Sequence, residues 1–295
     1  MKYHFLLVAC LLLAGCATDD KEFDATGTFE ATEVTVSAEQ TGRLLRFTAE
    51  EGCKVEAGSL LGLVDTVQLY LRARQIGATR LVYATQRPDI HKQIAATRQQ
   101  IAKARQDVER FTQLVGDGAA NRKQLDDATH QLAFLRRQLE AQTATLQNSA
   151  NSLSAQMNTA DVEKLQVADQ LAKCRIHTPI GGTILETYVE PGEFVTTGKP
   201  LFTVADIDRM YLRAYLTSNQ LRNVKLGQRV NVLSDYGDGR RKSYPGTVTW
   251  ISSKSEFTPK TILTDDERAN LVYAVKIAVR NDGHLKIGMY GEVKL

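Results

Sequence analysis

The sequence has little that marks an enzyme, a nucleic-acid binder or a membrane-spanning protein. Lys+Arg number 37 and Asp+Glu 34, a net charge of +3. So close a balance gives no field to hold a polyanion, and no nucleic-acid partner is expected. One Trp and 7% aromatics leave little for aromatic-rich cores and suit long helices. The five histidines (His4, His91, His130, His177, His284) are scattered, and neither His91 nor His130 has a ligand partner at i+4. HExxH, GxSxG and a phosphate loop ending in Lys-Ser/Thr are all absent, so neither catalysis nor a metal site is expected. No stretch beyond the first residues approaches 18 apolar positions, so the mature chain is not expected to span a bilayer. At 295 residues, 43% of them hydrophobic, it has room for two or three small domains.

Cysteine is also scarce, and its positions are informative. Of the four, Cys10 lies in an apolar run from Phe5 to Leu13 that follows Lys2, a layout that reads as a secretory leader. Leu13-Ala14-Gly15-Cys16 closes that run and matches a bacterial lipobox. Residues 1–15 are therefore expected to be removed, leaving Cys16 as the thioether attachment point for diacylglycerol. The alternative is an ordinary leader with a chance cysteine. Lipidation makes the chain periplasmic and membrane-anchored, with the inner membrane favoured, although Ala17 stands where an inner-membrane retention Asp would be. Cys53 and Cys174 either pair in an oxidising compartment or serve separately, Cys53 in a turn and Cys174 as a small buried residue. The second reading is preferred.

The clearest internal signal is a repeat at an offset of 140: Gly42/Gly182, Leu44/Ile184, Glu50/Glu190, Gly52/Gly192, Val55/Val195, Gly58/Gly198, Leu61/Leu201 and Val64/Val204. The six glycines are expected to sit in turns that need positive φ, with short strands between them. Each copy exposes an apolar face, so two copies facing each other predict a flattened barrel.

Between the copies the chain is rich in Ala, Gln, Leu, Arg and Lys. Leu125, Leu132, Leu139, Leu146, Leu153, Ala160 and Val167 recur every seven residues, as do Ile94, Ile101, Val108 and Val115. Ala128 and Leu135 supply d positions, which turn polar at Gln142, Ser149 and Gln156 and so weaken the seam, where neighbouring subunits could pack. Such heptads predict an antiparallel coiled coil folding back at Gly116-Asp117-Gly118, with helices over 66–86, 88–115 and 122–173. Pro88 is expected at the first helical position.

The two glycine copies resemble the halves of a lipoyl or biotinyl carrier domain. A carrier has its modified Lys in the turn joining the halves. Here the insertion occupies that place, so no lipoate or biotin is expected. The interruption resembles HlyD-type membrane fusion proteins, the periplasmic adaptors of export pumps. The resemblance implies a multidomain α+β fold: an α-helical hairpin inserted in a split lipoyl-like (barrel-sandwich hybrid) domain, followed by a small β-barrel. It divides the chain into a lipidated N-terminus and linker at 16–33, lipoyl halves at 34–65 and 178–205, the hairpin at 66–177 and the barrel at 206–295. Around the turn, Arg110, Leu114 and Asn121 resemble the tip motif of adaptors that dock on TolC-like outer-membrane channels, with Asn121 where Ser or Thr is usual. The alternative is that Leu114 only packs the hairpin end and Asn121 only caps a helix.

In the last third, strand candidates are Tyr211–Leu216, Arg229–Leu233, Gly246–Ile251, Leu271–Val279 and Glu292–Leu295. Thr217 is expected to cap a short helix, Asp238-Gly239 to make a hairpin turn, and Thr258–Ala269 to form a surface loop. With few residues after the last strand, the layout resembles ABC-exporter adaptors more than those of resistance-nodulation-division pumps. The resemblance implies three partners: an inner-membrane transporter, a TolC-like channel and copies of the same chain in a ring, hexameric by family pattern. A structural envelope lipoprotein that dimerises through its coiled coil is the competing reading.

Overall fold

A computed structural model describes residues 23–237, 240–256 and 271–295. The leader, Cys16, the Asp238-Gly239 turn and the Thr258–Ala269 segment fall outside these. The chain divides into a β unit and a helical unit.

The β unit begins with β1 (Ala25–Ser37), β2 (Gly42–Phe47), β3 (Lys54–Val55) and β4 (Leu60–Val64). After the insertion come β5 (Arg175–His177), β6 (Gly182–Thr187), β7 (Phe194–Val195) and β8 (Pro200–Thr217). The last strands are β9 (Arg229–Asp235), β10 (Arg241–Ile251), β11 (Val272–Arg280) and β12 (Tyr290–Lys294). Strands β1, β12, β9, β10, β11 and β8 run antiparallel in that order, and β8 pairs back onto β1, so the sheet closes into a barrel and has no edge there. Phe29, Met210, Leu212, Leu216, Val232, Ile277 and Val293 fill its interior.

Residues expected to be linker before Val34 are largely strand: Ala25 to Ala31 pair with β8 across Tyr215 to Met210, and Ala25 to Thr28 also pair with β12. The alternation of buried Ala25, Gly27 and Phe29 with outward-facing neighbours is the cause. Beyond Ala31 the same two strands continue into the flattened sandwich, where β6 joins β8 and β3 joins β6. The register slips at that joint. Ala31 faces Met210 but Thr32 faces Asp206, so Ile207, Asp208 and Arg209 bulge out. Asn281 holds the bulge, its Nδ2 donating to the Ile207 and Leu285 carbonyls at 2.8 and 3.1 Å and its backbone N–H to the Asp208 carbonyl at 3.0 Å. Lys54 Nζ bonds both carboxylate oxygens of Asp208 at 2.9 Å.

Within the sandwich the 140-residue offset maps one set of hydrogen bonds onto another. Gly52 N–H donates to the Ile184 carbonyl at 2.8 Å, and Gly192 N–H to the Leu44 carbonyl at 2.7 Å. Ile184 N–H donates to the Cys53 carbonyl at 3.0 Å, and Leu44 N–H to the Glu193 carbonyl at 2.8 Å. Gly58 donates to Thr178 and Gly198 to Ala38, both at 2.8 Å. Each half thus satisfies the backbone of the other. Gly52, Gly58, Gly192 and Gly198 have φ of 81°, 80°, 94° and 88°, in the left-handed region that their turns require. Gly42 and Gly182 differ from expectation: they open β2 and β6 rather than forming turns. A Cβ on Gly182 would lie 2.2 Å from the Ala205 carbonyl oxygen, and one on Gly42 would lie 2.7 Å from Val64 Cγ1, so close approach selects glycine there.

The helical unit comprises α1 (Val67–Gln86), α2 (Ile90–Gly116) and α3 (Arg122–Lys173). The 52 residues of α3 span roughly 78 Å. Pro88 precedes the helix cap instead of occupying the first turn, because the Asp89 carboxylate accepts from Lys92 N–H at 3.2 Å and makes Asp89 the cap. That bond also holds the Asp89 carboxyl below its usual range. Leu132, Leu135 and Ala104 are buried toward the tip, and Ile76, Ala160 and Val167 toward the base. Between them the seam departs from strict heptads. Ser149 and Gln156 are exposed, whereas Ala150 is buried and Met157 half-buried, so the spacing runs 142, 146, 150, 153. This is a four-residue stutter that locally unwinds the pair. It lies between the Thr97–Gln142 hydrogen bond of 3.0 Å and the Arg80–Asp161 ion pair of 2.6 Å, the stretch in which α1 gives way to α2. Gln142 stays in the seam, also donating to the Gln93 carbonyl at 3.2 Å. Cys53 is exposed in its turn and Cys174 buried; both are free, and burial pushes the Cys174 thiol pKa up.

The glycine assignments separate in two substitutions. Gly58→Ala meets only the left-handed penalty of about 1–2 kcal/mol, while Gly182→Ala meets a backbone oxygen and is expected to cost about 1–3 kcal/mol. Urea midpoints of the full chain read both, and Gly58→Asn, which tolerates positive φ, is expected to recover part of the first loss. A second expectation concerns acid. Lys242 Nζ, the His284 N–H at 3.1 Å and the Tyr244 hydroxyl at 3.2 Å bond Asp282, and the Lys242 bond foremost lowers its pKa from 3.8 to about 2. A carboxyl with a depressed folded pKa stabilises above its unfolded value and loses that contribution as pH falls through the folded one. Barrel stability is thus expected to decline between about pH 4 and 2. Thermal melts of Asp282→Asn are expected to lie lower at pH 7 and to lack that part of the decline.

Candidate functional site

The turn between α2 and α3 is built by two local motifs. Helix α2 ends with Asp117 as its cap, followed by Gly118 at φ 70°. Gly118 N–H donates to the Val115 carbonyl at 3.1 Å, and Ala119 N–H to the Leu114 carbonyl at 2.8 Å. This pair of bonds is a Schellman closure, which satisfies carbonyls that the helix end leaves open. Helix α3 then starts on Asn121, whose Oδ1 accepts from Lys123 N–H at 3.0 Å while its own backbone is extended at ψ 137°. Four residues, Asp117 to Ala120, therefore reverse the chain with both helix ends closed.

Arg110 and Leu114 lie one turn apart on α2 and are both exposed, Leu114 by 36%. The guanidinium is held in place: its Nη2 donates to Asp107 Oδ1 at 2.8 Å, and its carbon lies 5.1 Å from the centre of the Phe111 ring. Only one edge of the donor fork is used on Asp107, so the rest can meet carbonyls or carboxylates of another chain. Leu114 adds an apolar patch beside it. Below them, between α2 and α3, a hollow of about 360 Å³ is lined by Ala104, Phe111 and Ala128, with Asp107, Asp127 and Gln131 at its rim. The exposed face can hydrogen-bond and pack, and no group on it is positioned for covalent chemistry.

Of the residues singled out by sequence, the structure brings Arg110 and Leu114 onto one face and makes Asn121 a helix cap whose oxygen is already engaged. Sequence reasoning missed Asp107 and Phe111, which fix the Arg110 side chain, and the part played by Gly118. The i,i+3 spacing of Asp107 and Arg110, and a glycine four residues after Leu114, were the available signals. Cys16 lies outside the described residues. Among those residues, no helix is long and apolar enough to cross a membrane, and no three His, Cys, Asp or Glu side chains gather as a metal site.

A lone cap test separates architecture from surface. Asn121→Ala is expected to destabilise the hairpin by about 1 kcal/mol, whereas Asn121→Asp keeps the cap and is expected to be neutral. The measurement is loss of helical circular dichroism on heating, and equal melting of all three chains would remove the cap's contribution to stability.

Comparison with known proteins places these features in a wider group. Residues 32–207 match the barrel-sandwich hybrid domain of RND membrane fusion proteins. A UPF0194 membrane protein in the asrC 5′ region of Acidithiobacillus ferridurans is similar at 29% identity over 98% of this chain and 94% of its own length. A UPF0194 membrane protein of Yersinia enterocolitica is 27% identical over 89% of this chain and 86% of its own. Among solved structures, MacA from Actinobacillus actinomycetemcomitans shares the fold, with a TM-score of 0.54 and 23% identity over 91% of this chain and 76% of that one.

Proposed function

The chain belongs to the membrane fusion protein family through its barrel-sandwich hybrid domain, and we propose that it is a lipid-anchored periplasmic adaptor of an export pump. One observation carries the reading. A hairpin whose longer helix runs roughly 78 Å is inserted between the two interlocked halves of the sandwich and ends in an exposed Arg110–Leu114 face. A structure of that length builds no enclosed pocket; what it supplies is reach.

In this role the adaptor links an inner-membrane transporter to a TolC-like outer-membrane channel for the efflux of drugs or other small molecules. Cys16 holds the chain to a membrane, the sandwiches of neighbouring copies form a ring, and the hairpin tips meet the channel. Arg110 supplies donors to the channel, Leu114 an apolar contact, and Asn121 the shape of the turn. The transporter is an ABC exporter in the favoured reading. A resistance-nodulation-division pump is the second, supported by the family description that matches residues 32–207. Work is done by the transporter, and the adaptor itself catalyses nothing. No lipoate or biotin is involved, since the hairpin fills the place of the carrier's modified turn.

Export assays test the tip. Arg110→Ala is expected to melt within a degree or two of the parent and yet to abolish most export, and Leu114→Ala to reduce it. Full export by a correctly folded, normally abundant Arg110→Ala chain would sink the docking role. Co-purification from crosslinked membranes identifies the transporter class.

A further inference from the structure

The end of the barrel farther from the sandwich carries a set of cations for which the adaptor reading has no use. The described chain enters there. Asp24 N–H donates to the Val293 carbonyl at 2.9 Å, Leu295 N–H donates to Asp24 Oδ2 at 2.8 Å, and Gln220 Nε2 donates to the Asp24 carbonyl. The same end holds α4 (Ser218–Leu221), the turn after it, the start of β9 and the tail of β12. Gly227 N–H ties that turn to the Val248 carbonyl at 2.8 Å.

On this end Arg222, Lys225, Arg229, Lys254 and Lys294 are all exposed, and none is in an ion pair among the described residues. The described acids nearby are already engaged: Asp24 accepts from Leu295 N–H, and Glu256 accepts from Arg213 at 2.8 and 3.1 Å. Arg229 and Lys294 line one open hollow of about 510 Å³ beside Pro245 and Gly246. Among the cations, Leu226 is 67% exposed at the head of a turn closed by Gly227 at φ 80°. Residues 257–270 fall outside the described chain.

Six residues separate Cys16 from Phe23. Fully extended, that stretch reaches roughly 25 Å, so a lipid on Cys16 keeps this end of the barrel close to the headgroups. We infer that it is a docking surface for anionic phospholipid: the five cations meet phosphate, the hollow between Arg229 and Lys294 admits a headgroup, and Leu226 enters the interface. The inference rests on the lipid-anchored reading for its orientation. The surface would give the anchored barrel a fixed pose, seated end-on.

The test uses the mature chain from Cys16, expressed without its leader so that it carries no lipid, and sedimentation with vesicles of phosphatidylcholine alone or with phosphatidylglycerol. Binding to the anionic vesicles is expected to weaken with salt and to fall about five-fold per reversed charge. Lys225→Glu with Arg229→Glu and Lys294→Glu thus lowers it on the order of a hundred-fold. Lys286→Glu, at the opposite end of the barrel, is expected to change nothing, and circular dichroism checks that each variant folds. Should the triple variant fail to fold, Lys225→Glu alone and the salt series carry the decision. Equal binding to both vesicle types, or binding indifferent to the reversals, overturns the proposal. So does a triple variant that loses only transporter-bearing vesicles, which assigns the surface to a protein. Intact mass of the processed protein reads the lipid on Cys16 separately, so failure of the anchor and failure of the surface are told apart.

Discussion

Everything in the β unit depends on the exchange of backbone hydrogen bonds between two halves that lie 140 residues apart. Neither half can close alone, since the N–H groups of Gly52 and Gly58 find acceptors on Ile184 and Thr178, and those of Gly192 and Gly198 on Leu44 and Ala38. Because each half's donors find their acceptors on the other half, the ladder forms only when both halves are in place. Leu44 and Ile184, equivalent positions in the two halves, are both buried and supply part of the apolar contribution. The long insertion is compatible with this because it is itself closed. Val64 N–H donates to the Cys174 carbonyl at 2.9 Å, so a folded hairpin returns the chain to where it left. What would otherwise be a large loop-closure cost is met by local helix contacts.

From that exchange the barrel follows. Strands β1 and β8 leave the sandwich already paired, and the remaining strands need only add to an existing template. Asn281 makes the joint possible: an amide satisfied by the Ile207 and Leu285 carbonyls, with its own oxygen accepting from Gly283 and Leu285 N–H, lets three residues bulge without orphaned polar groups. The helical unit meets its own constraint differently. Its seam shifts by one position at Ala150, so that the polar Ser149 and Gln156 face solvent while the small Ala150 lies inside.

Much of this was legible because glycine and leucine recur at fixed spacings that few folds impose. Gly52, Gly58, Gly192 and Gly198 mark turns, and the heptad leucines mark a seam. The failures have physical causes. Ala25 to Glu33 alternates like a strand, but it lies so soon after a lipobox that it reads as tether. Counting strict sevens carries the d positions past the stutter and onto the wrong side. Gly42 and Gly182 share the repeat without sharing its reason, since close approach and positive φ leave the same letter in the sequence. At the tip, Arg110 and Leu114 could be picked out, whereas spacing left open which neighbours the arginine side chain would turn toward, and it turns toward Asp107 and Phe111. The engagement of Asn121 Oδ1 was anticipated because capping is local.

The long run of β1 against β8 has a mechanical meaning. Its rungs extend from the Thr26–Tyr215 pair near one end of the barrel to the Ser37–Pro200 pair deep in the sandwich. Tension drawn along the strands would load those rungs in shear, many at once, rather than peel them one after another. The bulge at Ile207 to Arg209 is the larger of two irregularities along that run, and there the Asn281 amide would act as the rivet.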